Sequence, residues 1–198
     1  MANPVLDIFE RSGAYLRGHF RLTSGLHSSE YLQCALVLQH PPEAEHFGQL
    51  MADEFRKLEP ALSRVVVVSP AIGGLIIGHE VARALGARFI FTERGPDGKM
   101  TLRRGFQIQP GETAVVVEDV ITTGGSTREV VEICQSAGAR TIAAGSIIDR
   151  SGGSADVGVP RIALKTMQVV AWQAWECPLC REGVPVVKPG SRPAAVQP

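Results

Sequence analysis

Four short apolar runs constrain this chain more than any other feature: Val65-Val66-Val67-Val68, Phe89-Ile90-Phe91, Ala114-Val115-Val116-Val117 and Thr141 to Ile148. None alternates apolar with polar residues, so each predicts a strand covered on both faces. Helical segments separate them, with Gly74 to Leu85 after the first run and Ser126 to Ala137 after the third. Buried strands alternating with helices imply right-handed βαβ units and a parallel sheet. The predicted fold class is α/β, a doubly wound, mostly parallel sheet flanked by helices.

The flanking text is read the same way. Val5, Ile8, Phe9 and Leu16 recur near helical spacing and predict a first helix over Val5 to Leu16, with Gly13 interrupting the pattern. After Gly18 two extended segments are expected, His19 to Gly25 and Tyr31 to Leu38, around a Ser-Gly turn. Pro41-Pro42-Glu43 opens a second helix carrying Phe47, Leu50, Met51 and Phe55 and ending near Lys57. Thr92 to Gln109 is polar, with Gly95-Pro96-Asp97-Gly98 at its tip, and reads as a mobile functional loop or a small hairpin.

Composition removes several function classes. Twenty Lys plus Arg balance twenty Asp plus Glu, so no global positive field gathers nucleic-acid phosphates. The longest stretch without these charges, Val65 to His79, is too short and too rich in Gly and Pro to span a bilayer. Asp7 and Glu10 interrupt the first apolar segment, so no secretory signal is expected. Four cysteines in 198 residues do not make a disulfide framework, and the expectation is a cytoplasmic protein with reduced thiols.

Ligands of open parallel sheets bind at the carboxyl ends of strands, and one such junction stands out. In Val115-Val116-Val117-Glu118-Asp119-Val120-Ile121-Thr122-Thr123-Gly124-Gly125-Ser126-Thr127, an apolar strand ends in two carboxylates and a loop of hydroxyls and glycines enters a helix. A helix start offers unpaired N–H groups and a positive dipole end, glycines let backbone approach an anion, and Thr and Ser add donors. That is a phosphate cradle. The acidic pair can accept hydrogen bonds from vicinal sugar hydroxyls or help fix a hydrated Mg²⁺, so the whole describes a phosphorylated ribose. No lysine precedes Ser126 as a P-loop requires, and Gly73-Gly74-Leu75-Ile76-Ile77-Gly78 lacks the dinucleotide-binding spacing.

This stretch resembles the phosphoribosyl pyrophosphate (PRPP) signature of the type I phosphoribosyltransferases. Three further segments are similar to the orotate phosphoribosyltransferase branch: Phe20-Arg21-Leu22-Thr23-Ser24-Gly25 with Tyr31-Leu32, Ser69-Pro70-Ala71-Ile72-Gly73-Gly74, and Ile148-Asp149-Arg150. The resemblance spans roughly residues 5 to 152. It implies one domain over residues 1–198, with a hood over about residues 1–40 plus a C-terminal segment and a core over about 41–165. It further implies a Mg²⁺-dependent transfer of phosphoribose from PRPP to orotate in pyrimidine (UMP) biosynthesis, by a homodimer whose flexible loop reaches the neighbouring subunit. Glu118, Asp119, Val120, Ile121, Thr122, Thr123, Gly124, Gly125 and Ser126 would then hold PRPP, with the metal kept near Glu118 and Asp119 through PRPP and water. Thr122 would also face the base. Arg94 and Lys99 are the basic residues implied at the pyrophosphate, from a loop that also carries Arg103 and Arg104. The chain departs from the family pattern at Thr23 and Gly73, where many bacterial relatives carry lysine, and in having Glu-Asp for the commoner Asp-Asp.

The residues themselves agree on Arg150: a guanidinium at a strand end can hold a base carboxylate bidentately, or else pair with Asp149. Two other readings stay open. A purine phosphoribosyltransferase would need no cation for a base carboxylate, and a nucleotide-sensing RNA regulator on the same fold would need a basic face that this chain lacks. Cys177-Pro178-Leu179-Cys180 is a single Cys-x-x-Cys; a structural turn is the simple reading, with zinc or redox chemistry as alternatives. His19, His27, His40, His46 and His79 show no ligand-like spacing, and His27, near the expected mouth of the active site, reads as a polar surface residue. Trp172 and Trp175 read as core or dimer packing, and the Pro-rich end from Pro189 reads as frayed.

Overall fold

A computed structural model describes residues 4–22 and 24–189, so Thr23 and the tail beyond Pro189 lie outside the described residues. In chain order the elements are α1 (Pro4–Arg11), β1 (Tyr15–Arg21), β2 (His27–Leu32), α2 (Cys34–Leu38), α3 (Pro41–Leu58), β3 (Val65–Pro70), α4 (Gly74–Leu85), β4 (Arg88–Arg94), β5 (Met100–Leu102), β6 (Thr113–Ile121), α5 (Gly125–Ser136), β7 (Arg140–Asp149), β8 (Arg161–Thr166), β9 (Ala171–Trp172) and α6 (Pro178–Arg181). They fall into two compact units, one made of the residues up to Val37 together with those from Gln168 onward, the other of Leu38–Met167.

The larger unit is the doubly wound sheet. Its strand order is β5-β4-β3-β6-β7-β8, parallel throughout except for the β4–β5 hairpin at one edge. Val66, Val67 and Val68 of β3 and Ala114 to Val117 of β6 are fully buried, as strands covered on both faces require. Residues Thr92 to Gln109 therefore form a short hairpin, Arg94 pairing with Met100, followed by a turn-rich return. The edge strand β8 was not expected from sequence; Arg-Ile-Ala-Leu-Lys-Thr is only half-buried and carries no continuous apolar run.

Helix α4 lies directly on the sheet because its inward face is nearly bare. A Cβ on Gly74 would stand 2.9 Å from Ser69 Cβ and one on Gly78 2.1 Å from Ser69 Oγ, so the one-turn pair of glycines sets how closely the helix packs. Helix α3 runs as predicted, with Phe47, Met51 and Phe55 fully buried along one stripe.

The smaller unit is a three-stranded sheet of order β1-β2-β9, β2 pairing antiparallel with both neighbours. Its first helix stops at Arg11, not Leu16, and the reason is local. Gly13 adopts φ +64°, Gly13 N donates to Glu10 O at 3.1 Å and Ala14 N to Phe9 O at 2.8 Å. These two bonds make a Schellman ending, which a glycine in the left-handed region stabilises. The segment expected as a strand over Tyr31 to Leu38 is also corrected: β2 ends at Leu32 and Cys34–Leu38 is helical. A short apolar run does not by itself separate strand from helix. Trp172 is half-buried but Trp175 is 73% exposed, so Trp175 is not a core residue. No helix among the described residues is long and apolar enough to cross a membrane.

Candidate active site

The larger unit has one point where its chain directions diverge. After β3, α4 leads to β4 on one side; after β6, α5 leads to β7 on the other, while β3 and β6 are hydrogen-bonded neighbours. The loops leaving the two strands must separate there, opening a crevice at the carboxyl ends. Those loops are Ser69 to Gly74 and Glu118 to Ser126, the segments singled out from sequence.

The two loops touch through glycines. A Cβ on Gly73 would lie 2.5 Å from Asp119 Oδ1, and one on Gly74 would lie 2.9 Å from Val117 O and 3.3 Å from Glu118 Oε1. This contact was invisible in sequence, where Gly73 stood out only as a departure from lysine. The Ala71–Ile72 peptide in the same loop is cis, and Ala71 N donates to Thr92 O of β4 at 2.8 Å.

Beyond β6 the chain lines a cleft of about 80 Å³ with Glu118 and the consecutive residues Val120 to Thr127. At about 10–15 Å³ for each water-sized site, that volume holds roughly five to eight such sites, room for the four oxygens of a phosphate group. Gly124 turns the chain with φ +82° and ψ −1°, and no side chain caps the start of α5. The first-turn N–H groups are therefore left for an anion to satisfy. Thr122, Thr123 and Gly125 are exposed at the mouth, and Ser126 is half-buried.

The acidic pair is electrostatically tense. Burial, reinforced by the neighbouring Asp119 charge, pushes the Glu118 carboxyl well above its usual range. Burial also raises Asp119, while hydrogen bonds from Glu118 and from backbone N–H groups work against it. Glu118 Oε1 accepts from Asp119 N at 3.1 Å and Asp119 Oδ1 accepts from Val120 N at 2.8 Å, so backbone N–H groups hold both carboxyls in place. Only oxygen donors meet here, the donor set that sugar hydroxyls or a hard hydrated cation would use.

The predicted basic residues take different places. Arg94 reaches the cleft: its Nη2 donates to Ser126 Oγ at 3.0 Å and pairs with Glu129 Oε1 at 3.0 Å. Burial works to raise the Glu129 carboxyl, but hydrogen bonds from Arg94 and Met100 N hold it below its usual range. Arg104 turns away, bidentate on Glu93 and stacked over the Phe91 ring. Lys99 sits exposed on the β4–β5 turn with no ion pair among the described residues. Glu129 had no signal in sequence, because its partner lies 35 residues away.

At the end of β7, Asp149 is fully buried and paired with Arg161 Nε at 2.9 Å, while its Oδ1 accepts from Ser151 N and Oγ. Asp149 thus pairs with Arg161 of β8. Arg150 is half-buried, and its N donates to Ile121 O at 2.8 Å. That bond ties the Arg150 backbone to the strand carrying the acidic pair.

Comparison with known proteins agrees with this geometry. The profile of the phosphoribosyl transferase domain family matches residues 35–179. Orotate phosphoribosyltransferase of Heliobacterium modesticaldum is 55% identical over 188 residues, covering 95% of this chain and 97% of its own. The Pelotomaculum thermopropionicum protein of the same name is 53% identical, covering 95% of this chain and 96% of its own. Among solved structures, orotate phosphoribosyltransferase from Aeropyrum pernix superposes with a TM-score of 0.68 at 24% identity, covering 82% of this chain and 93% of that one.

Proposed function

We propose a function from one premise, that the chain belongs to the orotate phosphoribosyltransferases within the phosphoribosyl transferase domain family. It transfers the 5-phosphoribosyl group of PRPP to orotate, giving orotidine 5′-monophosphate and pyrophosphate in pyrimidine (UMP) biosynthesis. The observation that carries this reading is the segment Glu118 to Ser126, where a buried acidic pair runs straight into an uncapped helix start lining a phosphate-sized cleft.

Each group then has a task. The N–H groups of the first turn of α5 and the hydroxyls of Thr122, Thr123 and Ser126 hold the 5-phosphate, with Val120, Ile121, Gly124 and Gly125 shaping the loop. Glu118 and Asp119 accept hydrogen bonds from the ribose hydroxyls. Glu118 and Asp119 would help hold a hydrated Mg²⁺ beside PRPP, where the cation would neutralise charge on the pyrophosphate. Arg150 binds the orotate carboxylate, and Thr122 faces the base. The orotate ring nitrogen forms a bond to C1 of the ribose as the C1–O bond to pyrophosphate breaks. The electron pair leaves with pyrophosphate, and C1 inverts.

Arg94, bonded to the phosphate loop of its own chain, and Lys99, carried on the hairpin tip of the neighbouring subunit, face the leaving pyrophosphate. Closure of that hairpin, from the neighbouring subunit of a homodimer, excludes water from the developing positive charge at C1. The catalytic burden falls on positioning and charge stabilisation by Glu118, Asp119 and Lys99, with no covalent intermediate. The enzyme is placed in the cytoplasm, where its thiols stay reduced.

The test is orotate consumption followed by ultraviolet absorbance with PRPP and Mg²⁺, beside adenine, hypoxanthine, uracil and a no-metal control. Turnover of orotate alone is expected. Turnover of a purine instead would move the protein to the sister enzymes, and silence on every base would overturn the catalytic reading.

A further inference from the structure

The smaller unit gathers four metal-ligating side chains that the reaction does not use. His19 on β1, His27 on β2, Cys177 at the start of α6 and Cys180 within it place their ligand atoms within 4.8 Å of one another. Three are buried, and Cys180 forms the exposed rim. Neither histidine showed ligand-like spacing in the sequence, and His27 was expected at the surface; the two are instead 3% and 7% exposed, and they complete the set that the single Cys-x-x-Cys lacked. We propose that this cluster is a structural Zn²⁺ site, tetrahedral with two nitrogen and two sulfur ligands, and independent of the phosphoribosyl site.

Four of the six separations lie near those of a coordination sphere. Zinc bonds of about 2.3 Å to sulfur and 2.0–2.1 Å to nitrogen give tetrahedral edges of roughly 3.5 Å between N and S and roughly 3.3 Å between two N. The observed edges are 3.5 Å from Cys177 Sγ to His19 Nε2, 3.7 Å from Cys180 Sγ to His19 Nε2 and 3.3 Å from Cys180 Sγ to His27 Nδ1. The two imidazole nitrogens stand 2.8 Å apart, and they would part by about half an ångström around a metal.

Proton placement points the same way. His19 Nδ1 lies 2.7 Å from Val184 O. A carbonyl only accepts, so Nδ1 carries the hydrogen and Nε2 turns its lone pair toward the cluster. That is how a metal-ligating imidazole is usually oriented, with its outer nitrogen bonded to a backbone carbonyl. The one lone pair of Nε2 is then approached by His27 Nδ1, Cys177 Sγ and Cys180 Sγ together. A single acceptor cannot serve three donors, whereas a cation at the centre uses all four lone pairs. The ligand chemistry also selects the ion, because thiolate and imidazole suit zinc and not the oxygen-seeking Mg²⁺.

The metal would fasten the C-terminal segment to the β1–β2 hairpin, adding to a set of short ties. Phe20 pairs with Val187 in an isolated bridge, Arg21 N donates to Val187 O, and β2 meets the two-residue β9.

Protein purified without an affinity tag or chelator is expected to carry about one zinc per chain by plasma mass spectrometry. A mercurial thiol reagent should release it to a metallochromic dye. His19→Ala, His27→Ala and Cys177→Ser should each reduce the content to below about a tenth, while Cys34→Ser keeps it in full. Should the ligand variants fail to fold, chelator-stripped wild type refilled with Co²⁺ decides alone. A tetrahedral site with two thiolates gives intense visible d–d bands and near-ultraviolet thiolate charge transfer. Stripped and reduced wild type that takes up neither Zn²⁺ nor Co²⁺ would overturn the proposal, as would folded ligand variants that retain the metal in full.

Discussion

Substituting Gly124 by alanine tests the phosphate loop at its tightest point. Gly124 sits at φ +82°, and an added Cβ would meet Val157 Cγ1 at 2.9 Å and Ala155 Cβ at 3.3 Å. Holding a non-glycine residue in the left-handed region costs about 1–2 kcal/mol, and overpacking against a buried wall about 1–3 kcal/mol more. Val157 is 1% exposed and Ala155 8% exposed, so that wall has little room to yield. Gly124→Ala should therefore lose about 2–5 kcal/mol, which at about 2–4 °C per kcal/mol for a chain of this size lowers Tm by about 4–20 °C. Gly125→Ala is the matched comparison, because a Cβ there meets nothing closer than Thr123 Oγ1 at 3.8 Å. That variant should melt close to wild type and show its effect in a raised KM for PRPP, since the new methyl stands at the cleft. Differential scanning calorimetry with initial-rate kinetics reads both. If Gly124→Ala melts within about 2 °C of wild type, the strain reasoning fails; if Gly125→Ala leaves KM untouched, the phosphate is not where the loop places it.

Four further outcomes are expected. Glu118→Gln removes a buried carboxyl whose raised pKa means that the folded state binds the extra proton. Folding stability contributed by this group is present below the ordinary carboxyl range and is lost as pH rises through the folded pKa. The Gln variant should therefore gain Tm over wild type more at pH 8 than at pH 4 while losing turnover, and an equal gain at both would refute the burial argument. Arg150→Ala should raise KM for orotate about 10–150-fold, from the roughly 1.5–3 kcal/mol of a charge-assisted hydrogen bond, and leave KM for PRPP nearly unchanged. Arg94→Ala should raise KM for PRPP while shifting stability by no more than about 1 kcal/mol, because its pair with Glu129 is one-third exposed on both sides; isothermal denaturation measures the second part. Lys99→Ala should lower kcat without moving Tm, since the exposed ammonium has no ion pair among the described residues; a loss of stability would give the residue a structural role.

What the sequence made legible follows from where its information is dense. The valine runs can only be doubly covered strands, and Gly74–Leu85 lies where its flanking glycines put it. The Glu118 to Ser126 segment could be read because its chemistry is contiguous: cleft, acids and hydroxyls come from one stretch of chain. The boundaries failed where apolar text was short, as at Leu36-Val37-Leu38, which reads equally well as strand or helix. Strand β8 was missed because an edge strand buries too little to impose a pattern. The contacts of Gly73 with Asp119, of Arg94 with Glu129 and of Asp149 with Arg161 join separate elements, so spacing along the chain holds no trace of them. The same holds for His19 and His27, whose eight-residue separation means nothing until β1 and β2 lie side by side.

The two loops of the crevice come from strands whose connecting chain runs through α4, β4 and the β5 hairpin, and they meet only because β3 and β6 share a hydrogen-bond ladder. An unfolded or half-folded chain therefore offers no fragment of this pocket with useful affinity. A ligand spanning both loops binds the native state alone, adding about 2.7 kcal/mol at a hundred times its Kd. The supply of substrate in the cell thus becomes a term in how long each molecule of the enzyme survives, and starvation for that substrate would be felt first as protein turnover.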